Sequence, residues 1–405
     1  NGVKNISIVV YNMTKRINPT INALSTIVIL VIVLVMVFAN VLPKLLEKHA
    51  SKHAKKIQRV IALLLVFALG FGLIKCGGSA AENHVLKVYN AGEYMDLDLL
   101  TQFEQEYNCT VVYETFESNE MMYTKLSGGE SYDVLIPSDY MIERLIKEDY
   151  LQPIDWDRLT NAEGLNPDVM NKEYDPGNVY SVPYFWGNVG ILYDKTVVDP
   201  ADLSEGWNLL MDTKYAGNLY MYDSERDSFM IALKALGYSM NTHDENEIQA
   251  AYEWLIQQRD TMKPVYAGDD VIDNMISGNK ALAVVYSGDG AYIMSENENL
   301  GFLMPEEGTN LWYDAMVMTR DCENTELAYE FMDFMLRDDV AYRNTQYVGY
   351  SSPVVAAYEQ AQEEDYEGIE AYVPRVGYEK DEIFRYQDTD IKKLFAELWT
   401  KVKAQ

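Results

Sequence analysis

Cysteine, histidine and the short motifs of nucleotide-dependent enzymes are scarce or missing in this chain of 405 residues. The three cysteines, Cys76, Cys109 and Cys322, are too few for a disulfide framework, and a single bond between Cys109 and Cys322 is left open. The four histidines do not cluster with cysteines, so no metal site is predicted. The motifs GxxxxGKS/T, GxGxxG after a strand and GxSxG are all missing. The sequence therefore indicates no cofactor.

Positive charge is also scarce, except near the start of the chain. The formal net charge is −30. Residues 1–76 contain ten Lys or Arg and one acid, a balance of +9, so the rest must carry −30 − 9 = −39. Such an acidic body disfavours nucleic acid as a partner and favours cationic ligands, although acidity that only keeps the protein soluble is the alternative.

Two apolar runs precede the acidic body. Residues 21–42 have the roughly 20 apolar residues that a bilayer-spanning helix needs, with a buried core helix as the alternative. The basic residues 44–59 follow, and basic segments stay in the cytoplasm. The second run, residues 60–74, is short for a span and is similar to a signal segment. We therefore expect one or two transmembrane helices, with everything after Cys76 outside the cell.

Cys76 lies where the cysteine of a lipoprotein would lie, at the end of the second apolar run. The residue before it is Lys75, although such signals require a small residue there. We expect that the chain stays uncut and that residues 60–83 serve as a second membrane anchor and linker. Because the chain begins with Asn1, we also expect a fragment or a processed product.

The acidic body has the pattern of an α/β protein. Strands are predicted at 85–90, 109–116 and 133–136, and a helix capped by Asp96 is predicted at 97–107. Further helices are predicted at 245–260, 326–336 (capped by Asn324) and 390–402, and a buried strand at 281–286. Alternation of strands with helices predicts a parallel sheet.

Aromatic residues and acids occur together at the predicted ends of strands, where α/β proteins bind ligands. In the stretch 311–314, LWYD, a strand would direct Trp312 and Asp314 to one face and Tyr313 to the other. An indole beside a carboxylate suits an organic ammonium ion, although a buried tryptophan beside a turn aspartate is the alternative. Similar pairings occur at 89–94, 137–140, 222–227 and 286–289, and an aromatic residue without an acid occurs at 349–351.

Several longer motifs occur in a fixed order along residues 85–405. They are VYNAGEY (88–94), ESNEMMYTKL (117–126), YDVLIPSDYM (132–141), SVPYFWGNVGILYD (181–194), LWYDAM (311–316) and VGYSSP (348–353). With these motifs the chain resembles the spermidine/putrescine-binding proteins of polyamine ABC transporters. Residues 6–45, with NPTINALSTI at 18–27, are similar to the end of the second permease subunit of the same transporters.

This resemblance implies a two-lobe, periplasmic-binding-protein-like α/β fold (type II) after one or two transmembrane helices. The implied parts are a permease end (1–43), a basic cytoplasmic loop (44–59), an anchor and linker (60–83), one lobe (84–188 plus 314–358) and a second lobe (189–313 plus 359–405). The implied function is extracytoplasmic binding of a polyamine, without catalysis, at the cell membrane. The implied partners are the permease and ATPase subunits and membrane lipid.

The resemblance also implies the residues of the binding cleft. They are Gly92, Glu93, Tyr94, Ser138, Tyr140, Asp227, Tyr286, Trp312, Asp314, Tyr350 and Gln387. Ala91 and Tyr286 stand where the family usually has Trp, and Ser224 stands where an acid can occur. These differences leave the choice between putrescine and spermidine open.

Two other classes of function remain open at this point. One is a binding protein for another solute, an amino acid or a sugar. The strand-end loops contain almost no basic residue apart from Arg226, which disfavours an anionic ligand. The other is a membrane-anchored hydrolase that uses two of the many carboxylates.

Overall fold

The computed structural model describes residues 84–268 and 270–404. The predicted transmembrane helices, the basic loop and Cys76 lie outside these residues. Within them, no helix has both the length and the apolar character that crossing a bilayer requires.

The described residues form nine strands and eleven α-helices, joined by loops and short 3-10 helices. The strands are β1 (Val85–Ala91), β2 (Thr110–Phe116), β3 (Val134–Leu135), β4 (Ser181–Asp194), β5 (Leu219–Tyr222), β6 (Val265–Ala267), β7 (Leu282–Tyr286), β8 (Leu300–Leu303) and β9 (Leu311–Met318). The helices are α1 (Leu97–Tyr107), α2 (Asn119–Ser127), α3 (Asp139–Lys147), α4 (Glu225–Ala235), α5 (Glu245–Met262), α6 (Val271–Ile276), α7 (Ser287–Glu296), α8 (Thr325–Met335), α9 (Asp338–Val348), α10 (Val355–Glu364) and α11 (Thr389–Lys403).

The strands form one sheet in the order β2-β1-β3-β9-β4-β7-β5-β6, with β8 also paired to β4. β1 runs parallel to β2 and β3, and β5 runs parallel to β6 and β7. The prediction of a parallel sheet is wrong for the middle, because β4 and β9 are antiparallel to all their partners in the described part. The preference of residues for strands does not reveal whether two strands run parallel, because the direction depends on how strands far apart in sequence meet.

Strand β4 belongs to both halves of the sheet. Its residues 181–188 pair with β9, and its residues 189–194 pair with β7 and β8. We call the part built on β1, β2, β3 and β9 the first lobe, and the part built on β5, β6, β7 and β8 the second lobe. The boundaries drawn from the sequence stay a prediction, because β4 runs through residue 188 without a break.

Local signals at helix starts are partly confirmed. α1 begins at Leu97, and the Asp96 carboxylate accepts a bond from the Asp98 N–H, as predicted. Asn324 also lies directly before its helix, but its side chain does not cap it. The Asn324 amide donates to the carbonyl of Val85 instead, which ties α8 to β1. Here a bond between distant residues replaces the local one.

The turn before β9 is fixed by a tryptophan from the second lobe. Trp207 is fully buried, and its indole N–H donates to the Gly308 carbonyl at 2.8 Å. Gly308 has φ = 95°, and a Cβ there would overlap the Lys380 carbonyl. This turn requires glycine, and it sets where β9 and its Trp312 and Asp314 begin.

Cys109 and Cys322 are both free, partly buried thiols. Each packs against the main core, and the bond between them that the sequence left open is not formed. No disulfide therefore contributes to the stability of the described part.

Candidate ligand-binding site

The first carboxylate of the site lies on β9. The Tyr94 hydroxyl, from the loop after β1, donates to Asp314 Oδ2 at 2.6 Å. The main chain of Ser138, just before α3, pairs with the main chain of Asp314 in an isolated antiparallel β-bridge. The other oxygen, Oδ1, is buried and has no hydrogen-bond partner among the described residues. Asp314 thus has one anchored oxygen and one that can accept a further donor.

Burial controls the ionisation of Asp314. It raises the pKa of this carboxyl to about 6, against the lowering effect of the bonds from Tyr94 and Ser138. The ionised form is therefore less stable here than in water. A bound cation would lower the pKa of Asp314 again, because an opposite charge in contact with the group stabilises the ionised carboxylate.

The second carboxylate, Asp227, lies in the first turn of α4. It is only 4% exposed, and the Tyr286 hydroxyl donates to its Oδ2 at 2.9 Å. Its Oδ1 is buried without a partner among the described residues. Burial raises the pKa of Asp227, and the bonds from Ser224 and Tyr286 oppose this. Asp227 therefore repeats the arrangement of Asp314, but in the second lobe.

A series of aromatic rings connects the two carboxylates. The centroid of Tyr286 lies 6.0 Å from that of Trp312, Trp312 lies 5.1 Å from Tyr350, and Tyr350 lies 5.6 Å from Tyr94. Their planes meet at 72–81°, so each ring meets the next edge to face. The first ring bonds Asp227 and the last bonds Asp314, so an aromatic wall extends from one carboxylate to the other.

Two glycines allow these rings to approach the backbone. A Cβ on Gly187 of β4 would overlap Ser287 Oγ and lie 2.8 Å from Trp312 Cζ2. A Cβ on Gly288 of α7 would overlap the Tyr350 ring. The rings of Trp312 and Tyr350 therefore rest directly on main chain, which fixes their positions.

As predicted, Trp312 and Tyr313 lie on opposite faces of β9. Trp312 contacts the tyrosines of the wall, whereas Tyr313 stacks on Trp186 at 6.1 Å and 8°. The Trp312 indole nitrogen is buried without a partner in the described part, so it can donate to a ligand.

The remaining predicted residues lie on three other segments. Tyr140 is buried, and its hydroxyl lies 3.2 Å from a carboxylate oxygen of Glu120. Gly92 and Glu93 are exposed on the loop after β1, and Gln387 is buried in the segment that leads to α11. Their contribution to ligand binding stays a prediction.

Asp139 supports the site, although it was not among the predicted cleft residues. It is 1% exposed; its Oδ1 accepts from its neighbour Tyr140 N, and its Oδ2 accepts from Tyr313 N at 3.1 Å. Burial raises the pKa of Asp139 to about 8. It joins the start of α3 to β9 directly beside Asp314. The sequence signal was the pairing of an acid with an aromatic residue at 137–140, but the partner of Asp139 lies 174 positions away.

One acidic group elsewhere has a spacing suited to a metal ion. Carboxylate oxygens of Asp202, Glu205 and Asp212 lie within 4.8 Å of one another. Asp202 already accepts from Lys214 and Tyr215, both at 2.6 Å, so part of its charge is neutralised within the protein. The group lies outside the aromatic wall and does not alter the prediction that the site contains no metal.

Comparison with known proteins identifies relatives over nearly all of the described part. Residues 98–371 match the family of bacterial extracellular solute-binding proteins. The spermidine/putrescine-binding periplasmic protein of Escherichia coli is 36% identical over 294 residues, which cover 71% of this chain and 84% of that protein. A putrescine-binding periplasmic protein of the same organism is 27% identical over 350 residues, 82% of this chain and 94% of the relative.

The fold agrees with these relatives. The crystal structure of a spermidine/putrescine ABC transporter substrate-binding protein from Streptococcus pneumoniae superposes with a TM-score of 0.69 at 36% identity. The match covers 79% of this chain and 99% of that one. The predicted periplasmic-binding-protein-like α/β fold is therefore confirmed, and these relatives are named as binding proteins rather than enzymes.

Proposed function

This chain belongs to the bacterial extracellular solute-binding protein family, and we propose that it binds a polyamine such as putrescine or spermidine between its two lobes. It would do so outside the cytoplasm and deliver the ligand to the permease of an ABC importer. The names of the relatives support a binding protein over a hydrolase, and a polyamine over an amino acid or a sugar.

The observation that carries this proposal is the pair of half-bonded carboxylates. Asp314 and Asp227 each have one oxygen bonded to a tyrosine hydroxyl and one buried oxygen without a partner in the described part. A buried carboxylate is costly unless a charged donor pairs with it. Two such groups suit a ligand with at least two ammonium ions.

The wall between the carboxylates suits the rest of the ligand. A polyamine has charged nitrogens separated by methylene groups. The methylenes can pack on the rings of Trp312, Tyr350 and Tyr286, and an ammonium ion near a ring face gains a cation–π interaction. A sugar or a neutral amino acid would leave at least one carboxylate without a cation.

Calorimetric titration of the full chain tests the proposal. We expect heat of binding with at least one of putrescine, cadaverine, spermidine and spermine, and none with glucose or glutamate. The ranking of the four amines would decide the ligand length, which the substitutions at Ala91, Ser224 and Tyr286 leave open. Binding of a sugar or an amino acid with no response to any polyamine would overturn the assignment.

We also propose that the binding lobes are tethered to the transporter itself. The support is the sequence alone: the apolar residues 21–42 and 60–74, and the similarity of residues 6–45 to a permease end. A tethered binding protein stays near its permease at a high effective concentration. Lys75 before Cys76 would hinder cleavage, and residues 60–74 would remain in the lipid bilayer.

An immunoblot of native membranes tests the tether. An antibody against the binding lobes should detect them on the same polypeptide as the apolar segments. A band of the size of the free lobes, with lipid on Cys76, would show that the chain is cut and that the anchor is a lipid.

A further inference from the structure

One face of α3 contacts the second lobe. Tyr140, Glu143 and Lys147 follow one another at helical spacing, so they share this face. The same helix begins directly after Ser138, and Ser138 and Tyr140 are both among the predicted cleft residues. A contact on this face therefore acts on one wall of the cleft.

The central contact is an ion pair between Glu143 and Arg385. The Arg385 guanidinium donates to both oxygens of Glu143, from Nη2 at 2.9 Å and from Nε at 3.1 Å. The Tyr386 N–H donates to Glu143 Oε2 at 2.7 Å, and Arg385 Nη1 donates to Glu173 at 2.7 Å. Glu143 is only 7% exposed. The Arg385 side chain is 37% exposed, so only the carboxylate is withdrawn from water. A bidentate pair with one buried partner has a defined geometry and is stronger than a fully exposed one.

Arg385 itself is held by the second lobe. Its N–H donates to Asn241 Oδ1 at 2.9 Å, and the Asn241 amide donates to the Ile383 carbonyl at 2.8 Å. Glu382 in the same segment accepts from Met240 N at 2.8 Å. Residues 240 and 241 lie between α4 and α5. The ion pair therefore crosses from one lobe to the other.

A second contact supports the same interface. The Arg226 guanidinium of α4 lies 3.6 Å from the centroid of the Tyr140 ring and 3.9 Å from Glu120. Arg226 directly precedes Asp227, so this stack joins the helix that carries the second-lobe carboxylate to α3.

We propose that Glu143 and Arg385 are a positioning pair that holds the two lobes together over the bound ligand. The proposal rests on the proposed function, since it takes the cleft between the lobes as the ligand site. The pair joins α3, which begins directly after Ser138 and contains Tyr140, to the segment that carries Gln387. An interaction that exists only when the lobes are together favours that arrangement by its full free energy. The pair should therefore slow ligand release.

The test is a double-mutant cycle in the full chain. Glu143→Gln, Arg385→Gln and the double variant are compared with wild type for putrescine and spermidine affinity, dissociation rate and thermal unfolding. We expect each single variant to bind both ligands roughly three- to thirtyfold more weakly, mainly through faster dissociation. The double variant should lose less affinity than the two single losses combined, because both substitutions remove the bond between Glu143 and Arg385. Arg385→Gln also removes the bond to Glu173 and should be the more harmful single variant.

Arg337→Gln is the matched control. Arg337 also binds two carboxylates, Glu106 at 2.7 Å and Asp339 at 2.8 Å, but all three lie in the first lobe. It should leave ligand affinity unchanged. Equal weakening by Arg337→Gln, or additive effects of Glu143→Gln and Arg385→Gln, would contradict a pair that acts between the lobes.

X-ray scattering from the same variants separates this proposal from the assignment of the ligand. We expect Glu143→Gln and Arg385→Gln to have a larger radius of gyration than wild type. If wild type binds no polyamine, the proposed function falls and scattering alone decides about the pair. If wild type binds and both variants match it in affinity, dissociation rate and size, the pair has no positioning role.

Discussion

At the scale of single residues, Asp314 combines the features that a cation site requires. One oxygen is anchored by Tyr94, the other is buried without a partner in the described part, and Trp312 lies on the same face of β9. We expect Asp314→Asn to weaken polyamine binding by about 3–5 kcal/mol, the cost of removing one member of a buried charge pair. This is roughly a hundredfold or more, measurable by calorimetry.

Asp227→Asn should cost a similar amount, because Asp227 is only 4% exposed and has the same pattern of bonds. Asp149→Asn is the control, since Asp149 is exposed and pairs with Arg320 away from the aromatic wall. Wild-type affinity in Asp314→Asn would show that the ligand lies elsewhere.

Asp314 should make the ligand-free protein less stable at neutral pH. Its pKa is raised from 3.8 to about 6 on folding, so between these values the folded chain binds more protons than the unfolded chain. Asp314 therefore lowers the free energy of unfolding. This loss is absent below pH 3.8, grows as the pH rises and is complete above pH 6. Asp314→Asn removes it. We expect the ligand-free variant to be more stable than wild type at pH 7 by roughly 1–3 kcal/mol.

Thermal unfolding of both proteins without ligand at pH 7 and pH 4 measures this difference. The advantage of the variant should shrink at pH 4. Polyamine affinity of the wild type should fall as the pH drops through about 6, because protonation removes the charge that the ligand needs. An equal difference at both pH values would mean that Asp314 does not titrate in this range.

Prediction from sequence was effective for residues whose role depends on near neighbours. The opposite directions of Trp312 and Tyr313 follow from strand geometry alone, and the structure confirms them. Asp139 and the Glu143–Arg385 pair could not be found in this way. Asp139 accepts from the Tyr313 N–H, 174 positions away, and Glu143 accepts from Arg385, 242 positions away. No local pattern encodes which distant donor an acid meets.

At the scale of the elements, the start of α7 determines where Tyr350 can lie. Gly288 is the second residue of this helix, and any Cβ there would overlap the Tyr350 ring. We expect Gly288→Ala to displace Tyr350 from Trp312 and to weaken polyamine binding about tenfold, a loss of about 1.4 kcal/mol. Alanine favours helix over glycine, so the helix itself should not suffer.

Gly268→Ala is the matched control, because a Cβ there meets no atom within 4 Å. Both variants can be titrated with the same amine, and circular dichroism can verify their helix content. Unchanged affinity in Gly288→Ala would mean that Tyr350 is not part of the binding wall.

The elements themselves were predicted better than their arrangement. The bounds of α1 and the strand 282–286 follow from caps and apolar patterns, which are local. The sheet was predicted to be parallel, and β4 and β9 contradict this. Their pairing is set by which strands meet after the chain has crossed between lobes, and residue preferences carry no information on that direction.

At the scale of the whole molecule, the two lobes share strand β4 and should not unfold separately. Residues 181–188 of this strand complete the first lobe, and residues 189–194 complete the second. If either lobe unfolds, its half of β4 loses its partner strands, and the other half of β4 is no longer held at that end. We expect a single cooperative transition in denaturant for the described part, with the same midpoint by tryptophan fluorescence and by far-UV circular dichroism. Two separate midpoints would show that the lobes are independent.

The position of β9 has a consequence for the newly made chain. β9 pairs with both β3 and β4, so the first lobe lacks a central strand until residues 311–318 have been synthesised. At about 5–20 residues per second, the 116 residues between β4 and β9 (195–310) take roughly 6–23 seconds to translate. For that interval β1 can pair with β2 and β3, but β3 and the first half of β4 lack the strand that joins them. The same strand that presents Trp312 and Asp314 to the ligand thereby delays folding until most of the chain has been made.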